Sequence, residues 1–158
     1  MEIEKKFLVN KLPSDLDQYE SKNIEQSYIA TDPELRLRKI RTQCYLTIKS
    51  KGDLARQEFE ITLTQEQFEN LWQKKETNVI EKERYFIPIN DNLIAELDVY
   101  SGFLQGLMTV EVEFISEEAA KNFQGPPWFG KDITYDKRFK NKELASKGIP
   151  QQTNGENE

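Results

Sequence analysis

Glu2, Glu4 and Lys6 occupy alternate positions in the opening stretch Glu2-Ile3-Glu4-Lys5-Lys6-Phe7-Leu8-Val9. In an extended strand, alternate side chains share a face. The three charged groups then form a row with a step of roughly 7 Å, and Ile3, Phe7 and Val9 take the other face. Two carboxylates and an ammonium in a row suit a metal ion held beside an anion. A solvated outer face produces the same pattern. The pattern recurs, however, along the whole chain. Acidic pairs spaced two apart follow at Glu58/Glu60, Glu96/Asp98 and Glu111/Glu113, and basic ones at Arg36/Arg38 and Lys82/Arg84, with Lys49 alone on its strand.

Carboxylates brought together repel one another, and so do guanidinium and ammonium groups. An interior built from such rows is costly unless opposite charges pair or a ligand brings counter-charge. A divalent metal answers the carboxylates, and a chain of phosphates answers the cations. Arginine suits phosphate through its planar donor fork and lysine through its point charge. Mg²⁺ commonly takes one or two carboxylates and completes its shell with phosphate and water. Alternation alone leaves two architectures open. In one, a sheet packs its apolar face inward and carries its charges in water. In the other, a barrel has a charged lumen, and helices and loops cover its apolar outside.

The chain has 158 residues, 32% charged, 37% hydrophobic and 11% aromatic, with a net charge of −6. That length fits one domain with a buried core, expected over residues 1–148. The acidity argues against nucleic-acid binding by bulk electrostatics. There is no histidine and one cysteine. Histidine-based triads, bases and metal ligands are therefore excluded, as are an intrachain disulfide and a cysteine-rich zinc site. Any metal must be held by oxygen, which favours Mg²⁺, Mn²⁺ or Ca²⁺ over zinc. No apolar run is long enough to span a membrane. A strand from residue 2 leaves no room for a signal peptide, so the expected location is cytoplasmic.

Strands are expected over residues 1–9, 25–29, 35–40, 44–49, 56–63, 79–87, 93–100 and 107–114, joined by short turns into an antiparallel sheet. Thr64-Gln65-Glu66-Gln67 has the form of a capping box, and Phe68, Leu71 and Trp72 follow at helical spacing, so a helix is expected from 64 to about 75. Shorter helices are expected from Ser14 and over 116–123. Residues 132–144 read as mixed and partly helical, and 149–158 as a disordered tail. Cys44 falls on an apolar strand face and reads as a buried structural thiol.

Taken together, these residues resemble the CYTH domains, also called triphosphate tunnel metalloenzymes. The signature Glu-x-Glu-x-Lys is present as Glu2, Glu4 and Lys6. Matching stretches follow in order: Gln26 and Tyr28 before Thr31-Asp32-Pro33, Arg36-x-Arg38, Thr47-Ile48-Lys49, Glu58-x-Glu60-Ile61, Ile80-Glu81-Lys82-x-Arg84-Tyr85, Glu96-x-Asp98 and Glu111-Val112-Glu113. A closing segment with Asp132-Ile133-Thr134, Arg138, Phe139 and Asn141 completes the match.

The resemblance implies a mainly β fold, a closed eight-stranded antiparallel barrel open at both ends, with a charged tunnel and a few short helices outside. It implies Lys6, Arg36, Arg38, Lys49, Lys82, Arg84 and Arg138 as triphosphate ligands, and Glu2, Glu4, Glu111 and Glu113 as holders of Mg²⁺ or Mn²⁺. Glu4, Glu58, Glu60 and Glu113 are the implied catalytic acids, with Glu96 and Asp98 completing an acidic wall. The implied activity is metal-dependent hydrolysis of inorganic triphosphate by a monomer or homodimer. Family members also hydrolyse thiamine triphosphate or cyclise ATP. These activities, a non-catalytic polyphosphate-binding module and a protein-interaction domain are the alternatives.

Overall fold

A computed structural model describes residues 1–151 of the chain. Ten strands form one antiparallel system: β1 (Glu2–Val9), β2 (Ser21–Thr31), β3 (Glu34–Ile40), β4 (Gln43–Lys49), β5 (Ala55–Arg56), β6 (Glu58–Leu63), β7 (Ile80–Pro88), β8 (Ile94–Ser101), β9 (Met108–Glu113) and β10 (Phe129–Asp132). The order is β10-β1-β9-β8-β7-β2-β3-β4-β6, with β5 pairing back onto β1. Since β5 and β6 are one strand interrupted at Gln57, this pairing brings the sheet round on itself into a nearly closed barrel. One edge of β1 is shared. Glu2 and Ile3 pair with β5, while Phe7 and Val9 pair with β10. The expected charged-lumen barrel is thus the fold, and β10 is an addition to the eight expected strands.

The apolar outer faces are covered unevenly. Phe7, Ile87, Ala95, Leu97, Val110 and Val112 lie outside β1, β7, β8 and β9 and form a buried cluster with Phe114, Ala120 and Phe129. Leu12, Leu16, Tyr19 and the ring of Phe123 close over it. The short helix α2 (Glu117–Asn122) supplies Ala120; its N-terminus is capped by Ser116, whose hydroxyl accepts from the Ala119 amide. Helix α1 (Gln65–Trp72) carries the expected capping box, in which Thr64 and Gln67 each accept from the other's backbone amide. Its Phe68, Leu71 and Trp72 sit on Leu37 and Cys44, so the cysteine is buried as expected. Ile48, Phe59 and Ile61, outside β4 and β6, stay exposed.

The lumen is not open at both ends. Tyr28, Ile80 and Tyr100 turn apolar rings and branches into one end, and the C-terminal segment packs on them. That segment begins on β1, where the Ile133 amide donates to the Lys6 carbonyl at 2.8 Å. It passes a 3-10 turn at Lys137–Phe139, continues as α3 (Asn141–Lys147), and reaches the far side where the Asn78 amide donates to the Ala145 carbonyl at 3.1 Å. Ile133, Phe139, Leu144 and Ala145 bury themselves against the three lumen residues. The stretch expected to be mixed is therefore a strap across one mouth. The expected tail falls on residues 152–158, outside the described residues, apart from 149–151, which follow α3 without regular structure.

Candidate active site

Strand alternation and register place the charged rows in the lumen. In an antiparallel ladder, directly paired residues point to the same face. Lys6 pairs with Glu111 and Glu4 with Glu113 across β1 and β9. Glu96 pairs with Glu111, and Arg84 with Asp98. On the opposite wall, Lys49 pairs with Glu58, and Arg36 and Arg38 follow along β3. A cavity of about 240 Å³ runs between these walls, lined by Glu2, Glu4, Lys6, Arg36, Arg38 and Lys49 together with Glu58, Arg84, Glu96, Glu111 and Glu113.

Three sequence-predicted residues sit below or beside that cavity. Lys82 and Asp98 are fully buried and paired at 2.8 Å. Asp98 also takes both Nε and Nη2 of Arg84 at 2.8 Å, a bidentate pair. Glu60, at the exposed edge of β6, lies 4.0 Å from Arg38. Arg138 stands outside the lumen lining; its guanidinium forks onto the Asp136 carboxylate, with Nη2 at 2.8 Å. The cavity also includes Asp53, Arg56 and Lys140, which had no assigned role in the sequence reading. Arg56 carried a signal, because it stands two residues before Glu58 on the same alternating face. Lys140 had none: its Nζ is drawn in by the Gly52 carbonyl at 2.7 Å and Asp53 at 3.0 Å, contacts made only when the strap closes.

The cavity wall carries seven carboxylates and seven cations, so its formal charge is balanced even though the chain is acidic. Balance is not neutralisation in place. Arg84 is the most heavily paired of the lining arginines: besides Asp98 it reaches Glu111 at 3.3 Å and Glu96 at 3.5 Å. Arg36 and Arg38 approach their nearest acids, Glu58 and Glu60, only at 4.0 Å. The two arginines thus keep donor capacity facing the lumen. Burial, then the like charges of Arg36 and Arg84, push Arg38 down to about 10. An anion there would reverse that pressure.

The acidic wall shows the opposite stress. Burial, then the charges of Glu111 and Glu2, drive Glu4 well above the usual carboxylate range. Glu111, despite its burial, is held far below that range by Lys6, Arg84 and Lys82. The two lie against one another, and of the pair Glu4 is the one that takes up a proton more readily. Burial and a bond to Glu2 likewise raise Glu58; Glu2 is itself raised most by burial, but Lys49 at 3.2 Å and the bond to Glu58 together lower it overall. In each carboxyl pair the two groups are driven in opposite directions, a crowding that a cation placed between them would relieve. Among the described residues, no three acidic side chains are grouped to bind a metal unaided. The donor set still fits a hard divalent ion that takes one or two carboxylates and draws its remaining ligands from phosphate.

The CYTH domain family model matches residues 1–139. An inorganic triphosphatase of Nitrosomonas europaea is 48% identical over 147 residues, which cover 91% of this chain and 96% of that protein. An inorganic triphosphatase of Acetivibrio thermocellus is 34% identical over 152 residues, covering 91% and 92% of the two chains. A crystal structure of an inorganic triphosphatase aligns with a TM-score of 0.71 at 45% identity, covering 96% of this chain and 97% of the other. A protein from Hippeastrum, described as a putative adenylyl cyclase with a dominant triphosphatase activity, shares the fold at 16% identity and a TM-score of 0.59, covering 77% of this chain and 83% of the other. With the family model spanning most of its length and two relatives above 30% identity along nearly their whole length, this chain belongs to the CYTH domain family.

Proposed function

We propose that the protein hydrolyses inorganic triphosphate to diphosphate and phosphate, PPPi + H₂O → PPi + Pi, inside the barrel lumen. The observation that carries this reading is the facing of two walls in one lumen, one with under-paired arginines and one with crowded carboxylates. The near identity of length and the sequence identity to inorganic triphosphatases support it. Arg36, Arg38, Lys49, Lys6 and Arg84 bind the phosphates and offset the charge that grows on the leaving diphosphate. Asp98 and Lys82 act from beneath: they fix the plane of Arg84. Glu2, Glu4, Glu111 and Glu113 hold the divalent ion, Mg²⁺ or Mn²⁺. When bound, such an ion supplies positive charge to phosphate oxygens and acidifies a coordinated water. Glu58, paired with Lys49 across β4 and β6 and lining the cavity, is the carboxylate that accepts a proton from water. Glu60 stands one pleat further along the same wall, opposite Thr47.

ATP cyclisation and thiamine triphosphate hydrolysis need a surface for a nucleoside or a heterocycle beside the phosphates. Among the described residues lining the cavity, only Ile133 and Phe139 are apolar, and both are largely buried in the strap. This favours a substrate that is all phosphate. The test is phosphate release from triphosphate, ATP and thiamine triphosphate, each with Mg²⁺, Mn²⁺ or EDTA. Triphosphate is expected to dominate, with no release in EDTA. Arg38→Ala is expected to cost about 2–4 kcal/mol of transition-state stabilisation, roughly thirty- to a thousandfold in kcat/KM. Full activity in Arg38→Ala would remove the lumen as the site.

A further inference from the structure

Gln26 lies at the centre of β2 and is completely buried. It pairs with Arg38 on one side and Ile80 on the other, so its side chain stands on the lumen face, in the layer of the Arg38 guanidinium. Both polar atoms of its carboxamide lack a hydrogen-bond partner among the described residues. The other buried side-chain atoms in that condition are Nε of Arg36 and Nε of Arg38, on the adjacent strand. Every unsatisfied buried group described thus belongs to one patch of lumen wall, where β2 meets β3. A buried amide is costly unless bonded, and an apolar residue of the same shape would suit the neighbouring Ile24 and Ile80 better. The patch offers three donor nitrogens, carrying four N–H groups, and a single acceptor oxygen. Its complement is a group rich in acceptor oxygens.

We propose that Gln26 is a substrate-binding residue, whose Nε2 donates to a phosphate oxygen of triphosphate alongside Arg36 and Arg38 while its Oε1 holds a water. The proposal rests on the triphosphate reading and deepens it. Gln26 is, like Thr47, a neutral member of the phosphate wall. Its amide adds a donor at depth without adding charge to two crowded guanidinium groups, and so spares Arg38 a further like-charge neighbour.

Two variants separate the roles. Gln26→Met keeps the length and removes both polar atoms. Gln26→Glu keeps an acceptor oxygen and removes the donor. Binding of sodium triphosphate in EDTA is measured by calorimetry, kcat and KM with Mg²⁺ by phosphate release, and melting temperature without ligand. Gln26→Met is expected to melt no lower than wild type, to bind triphosphate about ten- to a hundredfold more weakly and to lose kcat/KM in proportion. Gln26→Glu is expected to bind more weakly still, because its carboxylate pairs with Arg38 and opposes the anion. Unchanged binding in Gln26→Met overturns the proposal. So does a clearly lower melting temperature in the ligand-free Met variant, which would mean that the amide is already satisfied within the fold. A Gln26→Glu protein that binds like wild type would show the donor to be irrelevant, with the same consequence. If wild-type protein neither binds triphosphate nor releases phosphate from it with Mg²⁺, the underlying reading fails, an outcome distinct from these.

Discussion

Lys82 illustrates what a single buried charge does in this barrel. It is enclosed by the Asp98 carboxylate at 2.8 Å and the Tyr100 ring at 5.5 Å from its centroid, with Arg84 and Glu111 also facing it. Burial lowers its pKa to about 8 from the ordinary 10.5; Asp98 opposes that shift and Arg84 adds to it. Between those values the unfolded chain keeps the Lys82 proton while the folded chain has lost it. The unfolded state therefore binds more protons, and unfolding free energy rises with pH through that window. Below about 8 both states carry the proton, and the cost of burying the charge is present in full. Urea unfolding of wild type and Lys82→Met from pH 7 to 10.5 should show a stability difference that is flat at first. It should then shift in favour of wild type by up to about 1.4 kcal/mol per pH unit. A shift in the other direction would mean that Asp98 outweighs burial. The sequence showed Lys82 and Arg84, or Glu96 and Asp98, as equivalent pairs. Register separates them: Asp98 faces Arg84 directly and disappears into a bidentate pair, while Glu96 remains at the cavity. No spacing rule distinguishes a carboxylate spent on its neighbour from one left for a ligand.

At the scale of elements, the strap decides the shape of the site. Leu144 in α3 is fully buried against the plug that Tyr28, Ile80 and Tyr100 present. The strap also presents the Phe139 carbonyl, which accepts from Lys6 Nζ at 2.6 Å and so orients a cavity lysine. Leu144→Ala should cost about 2–5 kcal/mol, as expected for emptying a packed core position. The check is the urea midpoint, with amide exchange followed at Asn78, whose backbone bond to Ala145 ties the strap to the far wall. A change under 0.5 kcal/mol would show the strap to be a loosely held cover. Most strands were legible because a charged lumen and an apolar exterior impose strict alternation, as in Leu35-Arg36-Leu37-Arg38. The capping box at Thr64 was legible because its bonds are local. β10 was not. It has four residues behind Gly125-Pro126-Pro127, and it is held by partners far away in sequence: Asn10, whose side chain donates to the Phe129 carbonyl at 2.9 Å, and the Lys5–Asp132 ion pair at 3.3 Å. The closed end was hidden for a related reason. Tyr28 and Ile80 look like ordinary strand residues until the C-terminal segment arrives to cover them.

At the scale of the whole molecule, the barrel encloses two walls that each resist their own crowding. The net charge of −6 gives no long-range attraction for a polyanion, so recognition falls to the lumen. There the seven carboxylates and seven cations are balanced as a set, and either partner of a metal–triphosphate complex arriving alone upsets that balance. Triphosphate alone relieves Arg36 and Arg38 but sets its charge against Glu2, Glu4 and Glu111. A divalent ion alone relieves those acids but sets its charge against the basic wall. Arriving together, each screens the other from the wall that would reject it. The two should therefore bind with positive coupling, and that coupling is reciprocal. Because both bind the folded state, it is readable as stability. At matched free concentrations, Mg²⁺ alone and triphosphate alone should each raise the melting temperature slightly, and the two together by clearly more than the sum. A hundredfold excess over Kd corresponds to about 2.7 kcal/mol. Shifts that simply add would mean that the two walls act as separate sites. The same experiment on Arg38→Ala should lose the excess and keep the small Mg²⁺ effect, since that substitution leaves the acidic wall intact.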